Sequence, residues 1–214
     1  KNKSTLKVMK NTKKKIIEAA IHEFAAKGYE QATTRDILLQ AGANVAAINY
    51  YFKGKQGLYV EILLHIVEVV REQFKDLYPQ YLLFKASMPS PKKSREMLKI
   101  CIRKFVELIC SDKFSLELGQ IYIHEYTQSS PYFETLSKGL NEIYLPWFTT
   151  LLRDASEDSL SEKEANLQTV MIFSQILTVL TRKEVILKVM EWQDYTPDAI
   201  NEILSTIYRN VGIK

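Results

Sequence analysis

The chain has 214 residues, 46% of them hydrophobic, which is enough for a sizeable core in one domain or two small ones. Seven glycines and six prolines are few for this length, and no stretch alternates like a half-buried strand, which argues for an all-α protein. The formal net charge is +4, but residues 1–60 carry eleven Lys and Arg against four Asp and Glu, which fits a nucleic-acid contact at that end.

The first predicted helix runs from Lys10 to Lys27, and Gly28 is expected to end it. Consecutive lysines near its start can meet phosphates, although a solvated lysine-rich helix start explains them almost as well. A disordered basic tail over residues 1–15 would also raise the charge of this end. The apolar stripe of the helix is Ile16, Ile17, Ala20, Phe24 and Ala25, and the lysines are Lys13, Lys14 and Lys15.

Residues 33–59 predict two short helices joined by a tight turn, followed by the start of a long third helix. Thr33 can cap the first helix, with Asp36 as the other half of a capping box. Gly42 is expected to end that helix, because glycine enters the left-handed conformation freely. Asn44 can then cap the second helix, over residues 45–51.

The exposed face of this second helix differs from that of a merely solvated helix. Val45 and Ile48 are three residues apart and are expected to dock the helix on the rest of the protein. The other positions offer Asn, Ala and Tyr, which can bond adenine edges, pack on a thymine methyl and reach phosphate oxygens. The pattern predicts a helix-turn-helix, although a purely structural helical hairpin is the alternative. The exposed residues are Asn44, Ala46, Ala47, Asn49 and Tyr50.

The rest of the chain predicts six further helices, about nine in all, and no repeats. Pro79 is expected to kink or end the first of them, and Pro146 to kink another. Pro197, with Thr196 as its cap, opens the last. Loops are expected at residues 86–91 and 156–161, with a break at residues 129–131. These helices span residues 55–83, 94–111, 115–128, 131–155, 161–192 and 197–211.

The last two long helices offer a surface for a second subunit. The final helix has one clean apolar stripe, and residues 167–180 are apolar over more than one face. A helix that is hydrophobic on two sides covers one with its own core and the other with something else, so we predict a four-helix dimer interface. Burial of both faces inside one subunit is the alternative. The expected core stripe is Leu167, Val170, Met171, Ser174, Leu177, Val179 and Leu180, and the expected interface is Val170, Ser174, Leu177, Ile200, Ile203, Leu204 and Ile207.

Aromatic helix faces in the second half of the chain suggest an interior that could bind a small molecule. Gln120 and His124 are four residues apart on one helix face, and Gln175 lies among apolar residues. Buried polar groups need partners, and a ligand could supply them. Plain core packing or solvent exposure explains each residue singly. The candidate ligand residues are Phe105, Gln120, His124, Tyr144, Trp147 and Gln175.

The sequence lacks the motifs that are typical of metal sites, enzymes, disulfide-bonded proteins and membrane proteins. The three histidines, His22, His65 and His124, are too far apart in sequence for a metal-ligand spacing, and no phosphate loop or nucleophile elbow occurs, so we expect neither an enzyme nor a cofactor. Cys101 and Cys110 point to opposite sides of a predicted helix and are expected to be core residues without a disulfide. No run suits a membrane span and no signal peptide is visible, which predicts a cytoplasmic protein without membrane contact.

Residues 10–59 resemble the N-terminal domain of the TetR family of transcriptional regulators. The resemblance rests on the run IIEAAIHEFAAKGYEQATTRDI, the AGAN turn, the INYYF end of the second short helix and the KGKQGLY opening of the next helix. Ala43 and the pair Lys53-Gly54 depart from the residues that the family commonly has there. Residues 115–212 are similar to the CecR-like subgroup of that family, through SSPYFE, IFSQILTVLTRKEVILKVMEW and the AINYYF helix.

The resemblance implies an all-α protein with a three-helix DNA-binding domain over residues 1–54 and a helical ligand-binding and dimerisation domain over residues 55–214. Such a protein is a ligand-responsive repressor that binds a palindromic double-stranded DNA operator as a homodimer and is released by a small-molecule effector, here unidentified. An all-α protein-interaction module without DNA binding is the alternative. Placement and resemblance together predict DNA contacts at Thr34, Arg35, Asn44, Ala46, Asn49, Tyr50, Tyr51 and Lys55, with core packing as a rival role for Tyr51.

Overall fold

The computed structural model describes residues 2–128, 130–157 and 159–213, together with their side chains except those of residues 2–10 and 143. This part of the chain forms eleven α-helices and no strand, which confirms the all-α class. The expected count of about nine is too low, because two predicted helices are each divided. Ser129 and Asp158, from the predicted break and loop, lie outside the described residues. The helices are α1 Asn2–Gln31, α2 Thr34–Ala41, α3 Val45–Phe52, α4 Lys55–Phe74, α5 Leu77–Ala86, α6 Pro91–Ile109, α7 Leu116–Gln128, α8 Phe133–Ala155, α9 Glu162–Thr181, α10 Lys183–Met190 and α11 Pro197–Asn210.

The predicted helix over residues 55–83 is interrupted between α4 and α5, and Pro79 explains the interruption. In a continuous helix its ring would clash with the carbonyl group of Lys75, four residues earlier, and its missing N–H would leave that carbonyl unbonded. The chain turns at Lys75 and Asp76 instead. Pro79 then lies in the first turn of α5, where backbone N–H groups have no helical partner in any case.

The predicted helix over residues 161–192 is likewise divided into α9 and α10, at Arg182, whose φ of −115° and ψ of 23° are not helical. The expected core stripe of α9 is wrong in part. Leu167, Val170 and Met171 are exposed by 58%, 55% and 55%. Apolar residues cover more than one face of this helix, so periodicity alone could not identify the face turned inward. The buried stripe is Ala165, Thr169, Ile172, Ile176, Val179 and Leu180.

The chain forms two compact units in space. The first contains the residues up to Glu68 together with Leu116–Gly139, and therefore α1 to α3, most of α4, α7 and the start of α8. The second contains Val69–Ser115 and the residues from Leu140 onward. The expected domain division after residue 54 stays a prediction, because compactness in space does not test a boundary in the chain. None of the described helices combines the length and apolarity that crossing a bilayer requires.

The core of the first unit is built on α1, which packs against α2, α3 and α7. Ile16, Ala20 and Phe24 of α1 are fully buried there. The first part of α1 ends at Gly28, as expected, because that residue is not helical: its φ is 71° and its ψ is 174°, and a short second part continues beyond the kink to Gln31. Counting the two parts of α1 separately gives twelve helices. The kink directs Tyr29 back onto Phe24, with ring centroids 6.2 Å apart.

Candidate functional site

Local hydrogen bonds shape the turn between α2 and α3 as the sequence predicts. The Thr33 side chain accepts a hydrogen bond from the Asp36 N–H at 3.1 Å, and the Asn44 side chain accepts one from the Ala47 N–H at 3.0 Å. Gly42 has a left-handed φ of 60° and ends α2. The pKa of Asp36 is lowered, first by its side-chain hydrogen bond with Thr33 and then by the one with Lys27. The predicted helix-turn-helix is therefore present.

Helix α3 docks through residues four apart, Ile48 and Phe52, which are exposed by only 2% and 4%. The expectation that Val45 also docks the helix is wrong, because Val45 is its first residue and is 63% exposed. The spacing of four residues between the apolar Ile48 and Phe52 was the sequence signal that could have identified the docking face. Val45 instead adds an apolar group to the outward face, beside the predicted Asn44, Ala46, Asn49 and Tyr50, all of which are exposed.

The aromatic pair at the end of α3 is only partly free. Tyr50 is 70% exposed, and its ring meets that of Tyr51 edge-on with centroids 4.9 Å apart. Tyr51 is half-buried, with its ring centroid 6.0 Å from that of Phe52, which agrees with the predicted alternative of a packing role. In the first turn of α2, Thr34 is half-buried and Arg35 is exposed. Of these four predicted contacts, Arg35 and Tyr50 are the exposed ones.

Several lysines of this unit are engaged within the protein. The Lys55 ammonium lies 4.4 Å from the centroid of the Tyr29 ring and 3.4 Å from the backbone oxygen of Glu30. A phosphate contact by Lys55 stays a prediction, and it would compete with these partners. The Lys13 ammonium lies 2.6 Å from a Glu61 carboxylate oxygen.

A buried carboxylate on α7 joins that helix to α4 and to the segment between α7 and α8. Glu125 is only 1% exposed, and its oxygens accept hydrogen bonds from the Tyr59 hydroxyl at 2.5 Å and the Ser130 hydroxyl at 2.6 Å. Burial, and then the carboxylate of Glu125, raise the pKa of Tyr59 above its ordinary value. No sequence pattern indicates this network, because Tyr59 is 66 residues away from Glu125 in the chain.

Two predicted ligand residues on α7 have other surroundings. Gln120 is exposed to solvent. The His124 ring is half-buried, with Nε2 3.0 Å from the Ala25 carbonyl oxygen and Nδ1 3.1 Å from the Gln128 amide nitrogen. The expectation of buried polar groups awaiting a ligand is therefore not met at either residue. For His124 the alternative, a network satisfied within the protein, describes the geometry.

The second unit brings three predicted aromatic ligand residues into one ring cluster. The ring centroid of Phe105 lies 5.6 Å from that of Tyr144 and 4.4 Å from that of Phe74. The Phe74 centroid is in turn 6.1 Å from that of Trp147. Trp147 and Phe74 also line a cavity of about 370 Å³. Gln175 instead lines a groove between α9 and α11 and accepts a hydrogen bond from the Asn210 amide at 2.9 Å. The remaining residues of the cavity are Arg71, Lys75, Tyr78 and Glu142.

The predicted dimer surface is partly buried inside the subunit. Leu204 and Ile207 of α11 are exposed by only 1% and 3%, so their assignment to the interface is wrong. These positions form the inner side of the α11 stripe, which periodicity could not distinguish from the outer side. Val170 and Ser174 are exposed, and the other three members are half-buried: Leu177, Ile200 and Ile203.

Comparison with known proteins identifies relatives over nearly the whole chain. The family described as bacterial regulatory proteins, tetR family, matches residues 16–62, and the C-terminal domain of the HTH-type transcriptional dual regulator CecR matches residues 94–213, more than half of the chain. The CecR protein of Shigella flexneri is 26% identical over 202 residues, which are 94% of this chain and 90% of that protein.

Solved structures share the fold at lower identity. SCO3833, a member of the TetR transcriptional regulator family from Streptomyces coelicolor A3, superposes with a TM-score of 0.63 at 17% identity, covering 92% of this chain and 88% of its own. AibR, in complex with isovaleryl coenzyme A and operator DNA, superposes with a TM-score of 0.61 at 15% identity, and the match covers 92% of this chain and 97% of the AibR chain.

Proposed function

Since the chain belongs to the TetR family of bacterial regulatory proteins and has the C-terminal domain of CecR, it is a transcriptional regulator, and we propose that it binds a palindromic operator as a homodimer. A small-molecule effector bound in the second unit would release it from DNA, so that it acts as a repressor. The observation that carries the proposal is the outward face of α3. That face presents amide, hydroxyl and small apolar groups, with no charged side chain among Asn44, Val45, Ala46, Asn49 and Tyr50.

Each of these groups has a use in the major groove. The Asn49 amide can bond the adenine edge bidentately, and Val45 and Ala46 can pack on thymine methyl groups. The Tyr50 hydroxyl can donate to a phosphate oxygen, which fixes register without reading sequence. The turn is held by the Thr33 and Asn44 caps, so α3 can enter the groove as a rigid element.

Replacing Asn49 and Tyr50 together by alanine should weaken operator binding by about 10- to 100-fold, because a base contact of this kind contributes about 1–3 kcal/mol of discrimination. Binding to unrelated duplex DNA should fall less, because it loses only the phosphate contact of Tyr50. The two side chains are exposed, so the melting temperature should stay that of the wild type. Fluorescence anisotropy with labelled DNA measures both affinities, and Gln40→Ala on the exposed side of α2 is the control. Equal losses on operator and unrelated DNA would argue against base reading by α3.

The dimer would use the exposed apolar side of α9. Val170 and Met171 are each 55% exposed on a helix whose opposite side is fully buried in its own subunit. Isolated exposed apolar residues are ordinary, but a run of them on a long helix suits a helix–helix contact with a symmetry mate. Two-fold symmetry would place two α3 helices on successive major grooves about 34–36 Å apart.

Val170→Glu should convert a dimer at micromolar concentration to a monomer. The symmetric interface would bury the introduced carboxylate twice, and an unpaired buried charge is strongly unfavourable. Sedimentation velocity measures the result, with Leu83→Glu as the control because Leu83 is also exposed, by 74%, but lies on α5. A monomeric wild type, or a Val170→Glu variant that stays dimeric, would show that the interface lies elsewhere.

The effector would bind in the cavity beside Trp147. Arg71 and Phe74 of that cavity belong to α4, the helix that follows the reading helix in the chain and begins at Lys55. A ligand there can shift the equilibrium only through different affinities for the DNA-bound and free forms. An effector that saturates this cavity without changing operator affinity would disprove the coupling.

A further inference from the structure

The cavity beside Trp147 combines a wall of aromatic rings with charged side chains. Its lining residues all belong to the second unit, and its volume is about 370 Å³. The charged members are two cations, Arg71 and Lys75, and one acid, Glu142. These groups restrict the chemistry of a ligand that fits the cavity.

The wall consists of flat rings that are already stacked on one another. The Tyr78 ring is nearly parallel to that of Trp147, with an interplanar angle of 12° and centroids 4.9 Å apart. The Tyr81 ring is related to Trp147 in the same way, at 10° and 5.0 Å. Trp147 itself is buried, but Tyr78 is 45% exposed. Because aromatic rings attract one another in offset stacks and edge-to-face pairs, this wall favours a ligand with a flat ring over a flexible chain of equal size.

The two cations are four positions apart at the end of α4. Arg71 lies in the last turn of that helix, and Lys75 is the first residue after it. A guanidinium has five donors in one plane and can bind a carboxylate through two parallel hydrogen bonds. The Lys75 ammonium contacts the Glu72 carboxylate, but their side chains are 55% and 58% exposed, and surface pairs of this kind contribute little. A ligand carboxylate can therefore replace Glu72 as the partner of Lys75.

Glu142 limits the charge that a ligand can carry. It is exposed to water, so its carboxylate needs no partner in the cavity. Its negative charge repels a second carboxylate on a ligand, whereas the two cations repel a ligand ammonium group. The lining thus favours a single negative charge.

We infer that this cavity takes a planar aromatic monocarboxylate, whose ring stacks on Tyr78 and Trp147 and whose carboxylate is bound by Arg71 and Lys75. The inference rests on the proposed function for the role of the cavity, and it adds the chemical class of the effector. The same contacts give a reason for coupling to the rest of α4. A carboxylate that holds Arg71 and Lys75 together fixes the end of this helix, whose first residue, Lys55, follows the reading helix by three positions.

Three probes with the same ring and different charges test the ligand class: 2-naphthoate, 2-naphthylmethanol and the 2-naphthylmethylammonium ion. Isothermal titration calorimetry of the full chain without DNA should show that the carboxylate binds about tenfold or more tightly than the alcohol, because charge-assisted hydrogen bonds are the stronger ones. Rising salt should weaken binding of the carboxylate but not of the alcohol. No binding of 2-naphthoate at millimolar concentration, or tighter binding of the alcohol or the cation, would overturn the inference.

Two substitutions should change the affinity for 2-naphthoate in opposite directions. Arg71→Gln should weaken its binding about tenfold while the alcohol stays within about twofold of its wild-type affinity. Glu142→Gln should strengthen 2-naphthoate binding, because it removes a repelling charge. Weaker binding of 2-naphthoate to Glu142→Gln would contradict the assigned role of that residue and the charge of the ligand class. Both side chains are exposed, so the melting temperature should not change.

A control variant removes positive charge outside the cavity. Lys92 and Lys93 are exposed residues of the same unit, and their joint replacement by glutamine should leave the affinity for 2-naphthoate at its wild-type value. If this variant and Arg71→Gln lose equal affinity, overall charge and not a contact in the cavity attracts the carboxylate, and the inference is wrong.

Operator binding separates this inference from the proposed function. Saturating 2-naphthoate should weaken binding of the full chain to labelled operator, as measured by fluorescence anisotropy. If 2-naphthoate binds with the expected dependence on charge but operator affinity is unchanged, the ligand class stands and the proposed release from DNA is wrong. A wild type that binds no palindromic DNA would remove the proposed function, while the calorimetric result would still decide the ligand class.

Discussion

Gly57→Ala should destabilise the DNA-binding end by about 3 kcal/mol or more, a large effect for the addition of one methyl group. Gly57 lies in the first turn of α4, and a Cβ atom there would stand 1.8 Å from the backbone oxygen of Phe52 and 3.0 Å from its carbonyl carbon. A backbone atom cannot rotate away as the end of a flexible side chain can. The last turn of α3 would therefore have to move relative to α4.

The result should appear in two measurements. Thermal unfolding followed by circular dichroism should show a melting temperature lower by about 6–12 °C, since about 2–4 °C corresponds to each kcal/mol in a chain of this size. Operator binding should fall even below the transition, because α3 is displaced. Gly42→Ala is a graded control: nothing lies within 4 Å of its added Cβ, but its φ is 60°, so only about 1 kcal/mol of backbone strain is expected. If Gly57→Ala and Gly42→Ala lowered the melting temperature equally, the clash with Phe52 would be relieved at little cost in free energy.

Glu125→Ala should destabilise the protein by about 2–4 kcal/mol, because it removes the acceptor of two buried hydrogen bonds and leaves a cavity. The Tyr59 hydroxyl would be left without a hydrogen-bond acceptor, and water could not replace Glu125 because Tyr59 is fully buried. Glu125→Gln keeps one oxygen of the same shape and should lose much less. Urea unfolding measures the free energy of unfolding of the wild type, Glu125→Ala and Glu125→Gln, which can be compared if the three m-values are equal.

The comparison separates hydrogen bonding from packing. Tyr59→Phe removes the hydroxyl while keeping the ring against Phe24, at 4.7 Å between centroids, and should lower the free energy of unfolding by about 1–3 kcal/mol. In the background of Glu125→Ala the same change should have little further effect, because the hydroxyl then has no acceptor. Additive effects of the two substitutions would mean that the hydrogen bond between them contributes nothing.

Features set by neighbouring residues could be predicted from the sequence. The Thr33 and Asn44 caps, the left-handed Gly42 and the Thr196 cap of α11 each depend on residues within four positions, and all occur as expected. The outward placement of Asn49 followed from a helical repeat alone. In these places local preference and the fold agree.

Contacts between distant segments could not be predicted in this way. Helix α7 packs against α1 across about ninety intervening residues, as in the contact of His22 Nδ1 with a Glu117 oxygen at 2.9 Å. Neither periodicity nor composition shows which helices are in contact, so the hydrogen-bond partners of Glu125 and of His124 could not be predicted. The same limit explains the errors at Leu204 and Ile207, because an apolar stripe shows that a face is buried without showing by what.

Sequence reasoning also missed signals that were present. Pro79 excludes a helical hydrogen bond to Lys75, which places the break before it and not after it. Ile48 and Phe52 are spaced to dock α3 without Val45. Gly57 carried no such signal, because its importance comes from the close approach of Phe52, which only the folded chain shows.

The measurement that tests the central claim most directly is the selection of duplexes bound by the full chain from a pool of random sequence, followed by sequencing. If α3 reads DNA in a symmetric dimer, the recovered duplexes share a two-fold palindrome whose half-site centres are about 10–10.5 base pairs apart, or a multiple of this. The variant with Asn49 and Tyr50 replaced by alanine should not enrich that palindrome. Recovery of no common sequence, or the same palindrome with the wild type and the variant, would contradict the claim that the outward face of α3 reads the operator.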